Sequence, residues 1–324
     1  MENQIVINWE EMAGFNSKAT ASENISLLQR LEKPKGIVDV VLDTDTYNEI
    51  DDQFAVAYLV KSPEKMNIKA IYAAPFSNEK STGPADGMEK SYKEIFNILT
   101  LLEREDLKKV VYRGSTEYLK SEIEPVDSDA AKSLCELAMH YSEERPLYVV
   151  AIGAITNVAS ALLMKPEIKN KIVLVWLGGH ALHWHNNTEF NLYQDVAGAR
   201  IVFGCGVPLV QLPCMGVVSA FTVSGPELEY WLRGKNKLCD YLVDTTTHEA
   251  TQGTWNGVWT RVIWDVTAVA WLLDGDFMAD RYEHSPIPEY DHHYSFNKNR
   301  HLYKYVYHIH RDKLLADLFK KLAE

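Results

Sequence analysis

Apolar residues follow two alternating rhythms along this chain. Short β-branched runs such as Ile37-Val38-Asp39-Val40-Val41-Leu42 are followed by longer stretches with helical spacing, the first from Gln53 to Val60. The pairing repeats, with strand-like runs at 68–74, 109–112, 147–152, 172–177 and 208–212. Between them lie helical patterns at 88–102 and 129–143, and others that start at Thr156 and Asp195. Short apolar runs bounded by turns read as strands buried on both faces, and the longer periodic stretches read as helices. Strands alternating with helices imply βαβ units, so the pattern predicts an α/β fold with a mainly parallel open sheet flanked by helices. From Pro226 to about Asp274 the pattern is mainly helical, and the Tyr- and His-rich stretch from Tyr290 to His310 predicts late strands. Residues 1–34 read as an N-terminal extension to one domain over 35–324.

Composition changes this picture little. A chain of 324 residues is long enough for two domains, but no Pro-rich or Ser-rich linker divides it, and 46% hydrophobic residues suffice for one large core. The formal net charge of −12 argues against a nucleic acid or an anionic membrane surface as partner. No apolar run reaches the length of a membrane span, and the first residues lack a basic start and an apolar leader core, so the expectation is a soluble cytoplasmic protein. Cys135, Cys205, Cys214 and Cys239 are scattered without metal-binding spacing and read as buried free thiols.

The chemistry concentrates in Asp43-Thr-Asp45-Thr-Tyr-Asn-Glu49-Ile-Asp51-Asp52, which packs four aspartates and a glutamate directly behind the first strand. Such a cluster repels itself unless a cation sits in it, and oxygen-only donors suit a hard ion such as Ca²⁺ or Mg²⁺. Placed at the carboxyl end of a strand, it occupies the edge where open α/β sheets bind ligands. The bland alternative is a solvated turn with one Asp as helix N-cap. Three further segments stand out. Val149-Val-Ala-Ile152-Gly153 ends a strand before a helix capped by Thr156 or Asn157. Trp176-Leu-Gly-Gly179 leads into His180-Ala-Leu-His183-Trp-His185-Asn186-Asn187-Thr-Glu189-Phe-Asn191, rich in groups that bond hydroxyls. Trp264-Asp265 opens an apolar helix, where Asp265 is a ligand or merely a cap.

Taken together, and in this order from about Gly36 to Leu273, these segments resemble the nucleoside hydrolases of the inosine-uridine-preferring type. The resemblance implies calcium-dependent hydrolysis of a ribonucleoside N-glycosidic bond, giving ribose and free base. It implies Asp45, Asp52, Asp265 and the backbone carbonyl of Ile152 as calcium ligands, with Asp45 as the base that takes a proton from a metal-bound water. Asp51 would face the ribose 2′-hydroxyl, and Glu189 and Asn191 would hold the other sugar hydroxyls, with Asn187 or Asn186 and Asn78 as further contacts. A dimer or tetramer is implied by analogy.

Two departures matter. The acidic loop is two residues longer than the family pattern, so Asp43 or Glu49 could substitute for a ligand. Where the inosine-uridine-preferring members carry an acidic His before the late calcium Asp, this chain has Trp264, as purine-preferring members do. That suggests a stacked purine, although Trp264 also fits a core position. His183 or His185 is then the fallback proton donor, and a Zn²⁺ site built from the His180, His183 and His185 cluster is a weaker alternative. The rival from another class is a non-catalytic calcium or ribose binder that lost leaving-group activation. A phosphoesterase would want Lys or Arg near the acids, and the loop itself supplies none.

Overall fold

A computed structural model of the chain describes residues 21–251 and 257–324. The central sheet has eight strands: β1 (Val38–Thr44), β2 (Met66–Ala73), β3 (Val111–Arg113), β4 (Leu147–Ala151), β5 (Ile172–Leu177), β6 (Leu209–Leu212), β7 (Met278–His284) and β8 (Leu302–Ile309). Their order is β3-β2-β1-β4-β5-β6-β8-β7, parallel throughout except where β7 runs antiparallel to β8. Inner strands are buried on both faces, as their unbroken apolar runs require; β4 and β5 are buried at every position. Alternate residues feed two cores, with Val40 and Leu42 in one and Val41 in the other.

The strand order reverses between β1 and β4. Successive connections leave that point in opposite directions, which opens a crevice at the carboxyl ends of these two strands. The helix Asp51–Val60 follows β1 there, and all ten of its residues are buried. It therefore lacks an amphipathic stripe and packs beneath other helices, among them Val266–Trp271 and Arg311–Ala323.

The expected elements form with three instructive differences. The run at 109–112 is strand only from Val111, because a 3₁₀ turn occupies Glu105–Val110. The helix from Asp129 stops at Ala138. Strand β7, Met-Ala-Asp-Arg-Tyr-Glu-His, escaped the hydrophobic pattern because it is an edge strand with mostly exposed or half-exposed polar positions. Of the N-terminal extension, residues 1–20 lie outside the described residues. The helix Ala21–Arg30 packs onto the domain, placing Leu27 and Leu31 in the core. All four cysteines are buried and free. Among the described residues no helix is long and apolar enough to cross a membrane.

Candidate active site

The end of β1 is tied into the sheet before the acidic loop begins. The backbone N–H groups of Ile152 and Ala74 donate to the carbonyls of Asp43 and Thr44, each at 2.8 Å. Asn157 Nδ2 donates to Asp43 Oδ1 at 2.8 Å, while its Oδ1 accepts from the Ser115 amide at 2.7 Å. Asn157 is thus a brace under the loop and not a helix cap, and Thr156 spends its hydroxyl on Asp195. Asp43 lies beneath the site and does not line it; burial raises its carboxyl to about 7.

Above this base the loop folds three carboxylates from distant parts of the chain together. Single oxygens of Asp51, Asp52 and Asp265 all lie within 4.8 Å of one another, and all three residues are buried. Asp52 accepts from the Thr44 hydroxyl at 2.5 Å and shares a hydrogen bond with the carboxyl of Asp265. Asp265 stands at the N-cap of Val266–Trp271, but its side chain makes no capping bond, so its place is in the acid cluster. Asp45 sits beside them with both carboxyl oxygens buried and without hydrogen-bond partners among the described residues. Gly153 makes this possible: a Cβ there would stand 3.1 Å from the Asp45 Cγ and 3.0 Å from Ala74 Cβ. Burial, then mutual repulsion, holds the carboxyls of Asp45, Asp51 and Asp265 well above the usual range, and burial brings Asp52 to about 7. Acids that resist ionisation side by side, with orphaned oxygens between them, fit a hard divalent cation, which would supply the missing positive charge. The tight cluster is Asp51, Asp52 and Asp265, so Asp51 stands where the ligand set implied by the resemblance has Asp45.

Asp45, Asp51 and Asp265 line a cavity of about 210 Å³. Ile152, Glu189 and Asn191 line it as well. Glu189 caps the short helix Phe190–Gln194, accepting from the amides of Asn191 and Leu192 at 2.9 Å, and from Gly179 at 2.7 Å. Asn191 Nδ2 donates to the carbonyls of Leu177 (3.0 Å) and Ile152 (3.3 Å), leaving its Oδ1 for other partners. The Gly-Gly turn after β5 and the Glu-Phe-Asn segment are therefore one unit.

Other expected contacts sit differently. Trp264 is half-buried, packs against the core and also lines the cavity. Asn78 does not line the cavity; it donates to Asn48 Oδ1 at 2.7 Å, and Asn48 does line it. Asn187 is buried behind the wall, with Oδ1 accepting from the His180 amide at 2.7 Å. His183 and His185 are exposed and do not line the cavity, whereas His180 is buried and does. Sequence reasoning also missed Arg261, which reaches Glu49 at 2.9 Å on the cavity rim and Glu249 at 3.8 Å. More than two hundred residues separate it from the loop, so no local signal could reveal it.

A mainly parallel α/β sheet carrying a buried carboxylate cluster at its switch point defines an α/β protein with a candidate metal-ion site beside a cavity. Comparison narrows that class. Residues 40–299 match the family model for inosine-uridine preferring nucleoside hydrolases, and the chain belongs to that family. The pyrimidine-specific ribonucleoside hydrolase RihA of Escherichia coli O81 (strain ED1a) is 30% identical over 200 residues, covering 53% of this chain and 58% of RihA. The chain thus spans little more than half the length of the curated relatives it matches. A plant nucleoside hydrolase shares the fold with a TM-score of 0.72 at 19% identity, covering 88% of this chain and 99% of that one. A purine-preferring ribonucleoside hydrolase from Gardnerella vaginalis does so with a TM-score of 0.69 at 20% identity, covering 88% and 98%.

Proposed function

We propose that this protein hydrolyses the N-glycosidic bond of a ribonucleoside to ribose and free base, with calcium as its ion and a preference for purines. The observation that carries this reading is a cavity lined by Asp45, Asp51 and Asp265, with Asp52 clustered against the last two, and by Glu189, Asn191 and Trp264. Asp52, Asp265, Asp45 or Asp51, and the Ile152 carbonyl would hold the ion, which when bound supplies charge that polarises sugar hydroxyls and acidifies a water. Asp45, whose oxygens have no hydrogen-bond partner among the described residues, takes the proton of the attacking water. Asp51 accepts from the 2′-hydroxyl, and Glu189 and Asn191 fix the other hydroxyls. Asn187 acts through the backbone of His180, and Asn78 through Asn48.

Breaking a ribosyl C–N bond builds positive charge on the ring, so carboxylates close to it stabilise the transition state more than the neutral substrate. The half-buried Trp264 supports the purine preference, because its ring can stack on a flat base. A name as pyrimidine-specific among the relatives makes the substrate panel decisive. Purified protein with Ca²⁺ is expected to release base and reducing sugar from inosine, guanosine or adenosine faster than from uridine or cytidine, and a chelator is expected to abolish it. No sugar from any nucleoside would leave the binding-only reading, which Trp264 in place of an acid motivates. A cytoplasmic setting and assembly into dimers or tetramers belong to the same proposal, and light scattering checks the second.

A further inference from the structure

His180 is the histidine whose ring is built into the cavity wall, and three contacts fix its posture. Its backbone amide donates to Asn187 Oδ1 at 2.7 Å, its ring meets Trp184 edge to face at 6.1 Å, and its Nδ1 accepts from the Met215 amide at 3.3 Å. The last contact settles the tautomer. A backbone N–H can only donate, so Nδ1 must present its lone pair and the ring proton must sit on Nε2. Nε2 has no hydrogen-bond partner among the described residues, and the residue lines the cavity.

The chemistry around it says what such a donor is for. The cavity's carboxylates, Asp45, Glu49, Asp51, Glu189 and Asp265, accept hydrogen bonds and suit sugar hydroxyls, which donate. The amide protons of Asn191 are already spent on two carbonyls. A departing base presents acceptors, its ring nitrogens and carbonyl oxygens, and gathers negative charge as the bond breaks.

We propose that His180, as a fixed neutral imidazole, donates from Nε2 to an acceptor atom of the leaving base and stabilises its departure without transferring a proton; the C–N electron pair leaves with the base as an anion, which takes its proton from solvent water. This rests on the nucleoside hydrolase reading. Burial holds the imidazolium form down, to about 4, so near neutral pH the ring is a hydrogen-bond donor and not a general acid. The arrangement gives position 180 the leaving-group contact that Trp264 cannot supply as an acid, while His183 and His185 are exposed and do not line the cavity.

The test compares inosine, whose base needs a donor, with 4-nitrophenyl β-D-ribofuranoside, whose phenolate leaves unaided. His180→Phe is expected to lower kcat/KM on inosine by about 10²-fold, the usual loss for one preorganised donor, and to leave the nitrophenyl riboside nearly unchanged. His180→Gln, which keeps an N–H near Nε2, is expected to recover part of the loss. In ¹⁵N-histidine spectra of wild type with Ca²⁺, saturation with inosine is expected to shift Nε2 and leave Nδ1 in place. Equal losses on both substrates, or no loss on either, would overturn the inference. So would an unmoved Nε2 resonance, even if the wild type proved unable to cleave any nucleoside, the separate result that sinks the catalytic reading itself.

Discussion

Replacing Asp52 by Asn removes one negative charge from the acid cluster while keeping its shape and an oxygen for the Thr44 hydroxyl. Burial raises Asp52 to about 7, above the ordinary Asp value near 3.9, so the folded protein holds a proton that the unfolded chain releases between those values. The sign follows: this group's stability is fully present below about pH 4 and is lost as pH rises through about 7. The gap of roughly three units corresponds to about 4 kcal/mol at pH 8 without metal, and because the proton is shared with Asp265 we assign Asp52 itself about 2–4 kcal/mol. For a chain of 324 residues the unfolding entropy is about 0.7 kcal/mol per degree, so Asp52→Asn is expected to raise Tm by about 3–6 °C in chelator at pH 8.

Calcium should close most of that gap. An ion at about one hundred times its Kd stabilises the wild type by about 2.7 kcal/mol, or roughly 4 °C, and the variant, lacking a ligand, should gain little. Differential scanning calorimetry of both proteins at pH 8, with chelator and with Ca²⁺, reads all four values; a further pair of scans nearer pH 4 should show the gap closed. A variant that melts below wild type in chelator at pH 8 would refute the claim that the buried carboxylates burden the metal-free fold. Equal stabilisation of both proteins by calcium would place the ion elsewhere.

Other perturbations separate the parts of the site. Trp264→Ala should cost kcat/KM on purine nucleosides about tenfold, in line with about 1 kcal/mol of stacking, and much less on uridine; an equal loss on both would mark Trp264 as packing alone. Gly153→Ala places a methyl 3.1 Å from the Asp45 Cγ, so it should depress kcat while circular dichroism stays native, and full activity would show that Asp45 tolerates displacement. Arg261→Ala leaves Glu49 uncompensated beside Asp51, so isothermal titration should show calcium binding tightened by about 2–5-fold at low salt, an effect that high salt erases because the pair is partly exposed. Weaker calcium binding in that variant would mean that Arg261 positions the loop and does not tune its charge.

Legibility in the sequence followed the range over which each signal acts. The parallel sheet was readable because each buried strand writes its own apolar run, and the acidic loop because four aspartates in ten residues need no partner to look anomalous. Asp265 and Glu189 were readable through resemblance, since each sits in a short motif. Edge strand β7 was not, because a polar edge lacks the pattern that burial imposes.

The histidines show the limit most clearly. Three lie within six residues, and nothing in their spacing tells which one faces the cavity. That choice is made by Gly179 at φ +76°, which turns the chain after β5, and by two remote groups, Asn187 and the Met215 amide, that grip His180 from either side. Side chains three and five residues further on fall to the surface once the turn is made. The residue types near a site can be read from sequence; which of them is aimed into it is decided by long-range contacts that only the fold supplies. The same holds for Arg261, whose charge reaches the acidic loop only because the ribbon Thr222–Ser224 with Thr260–Val262 carries it there.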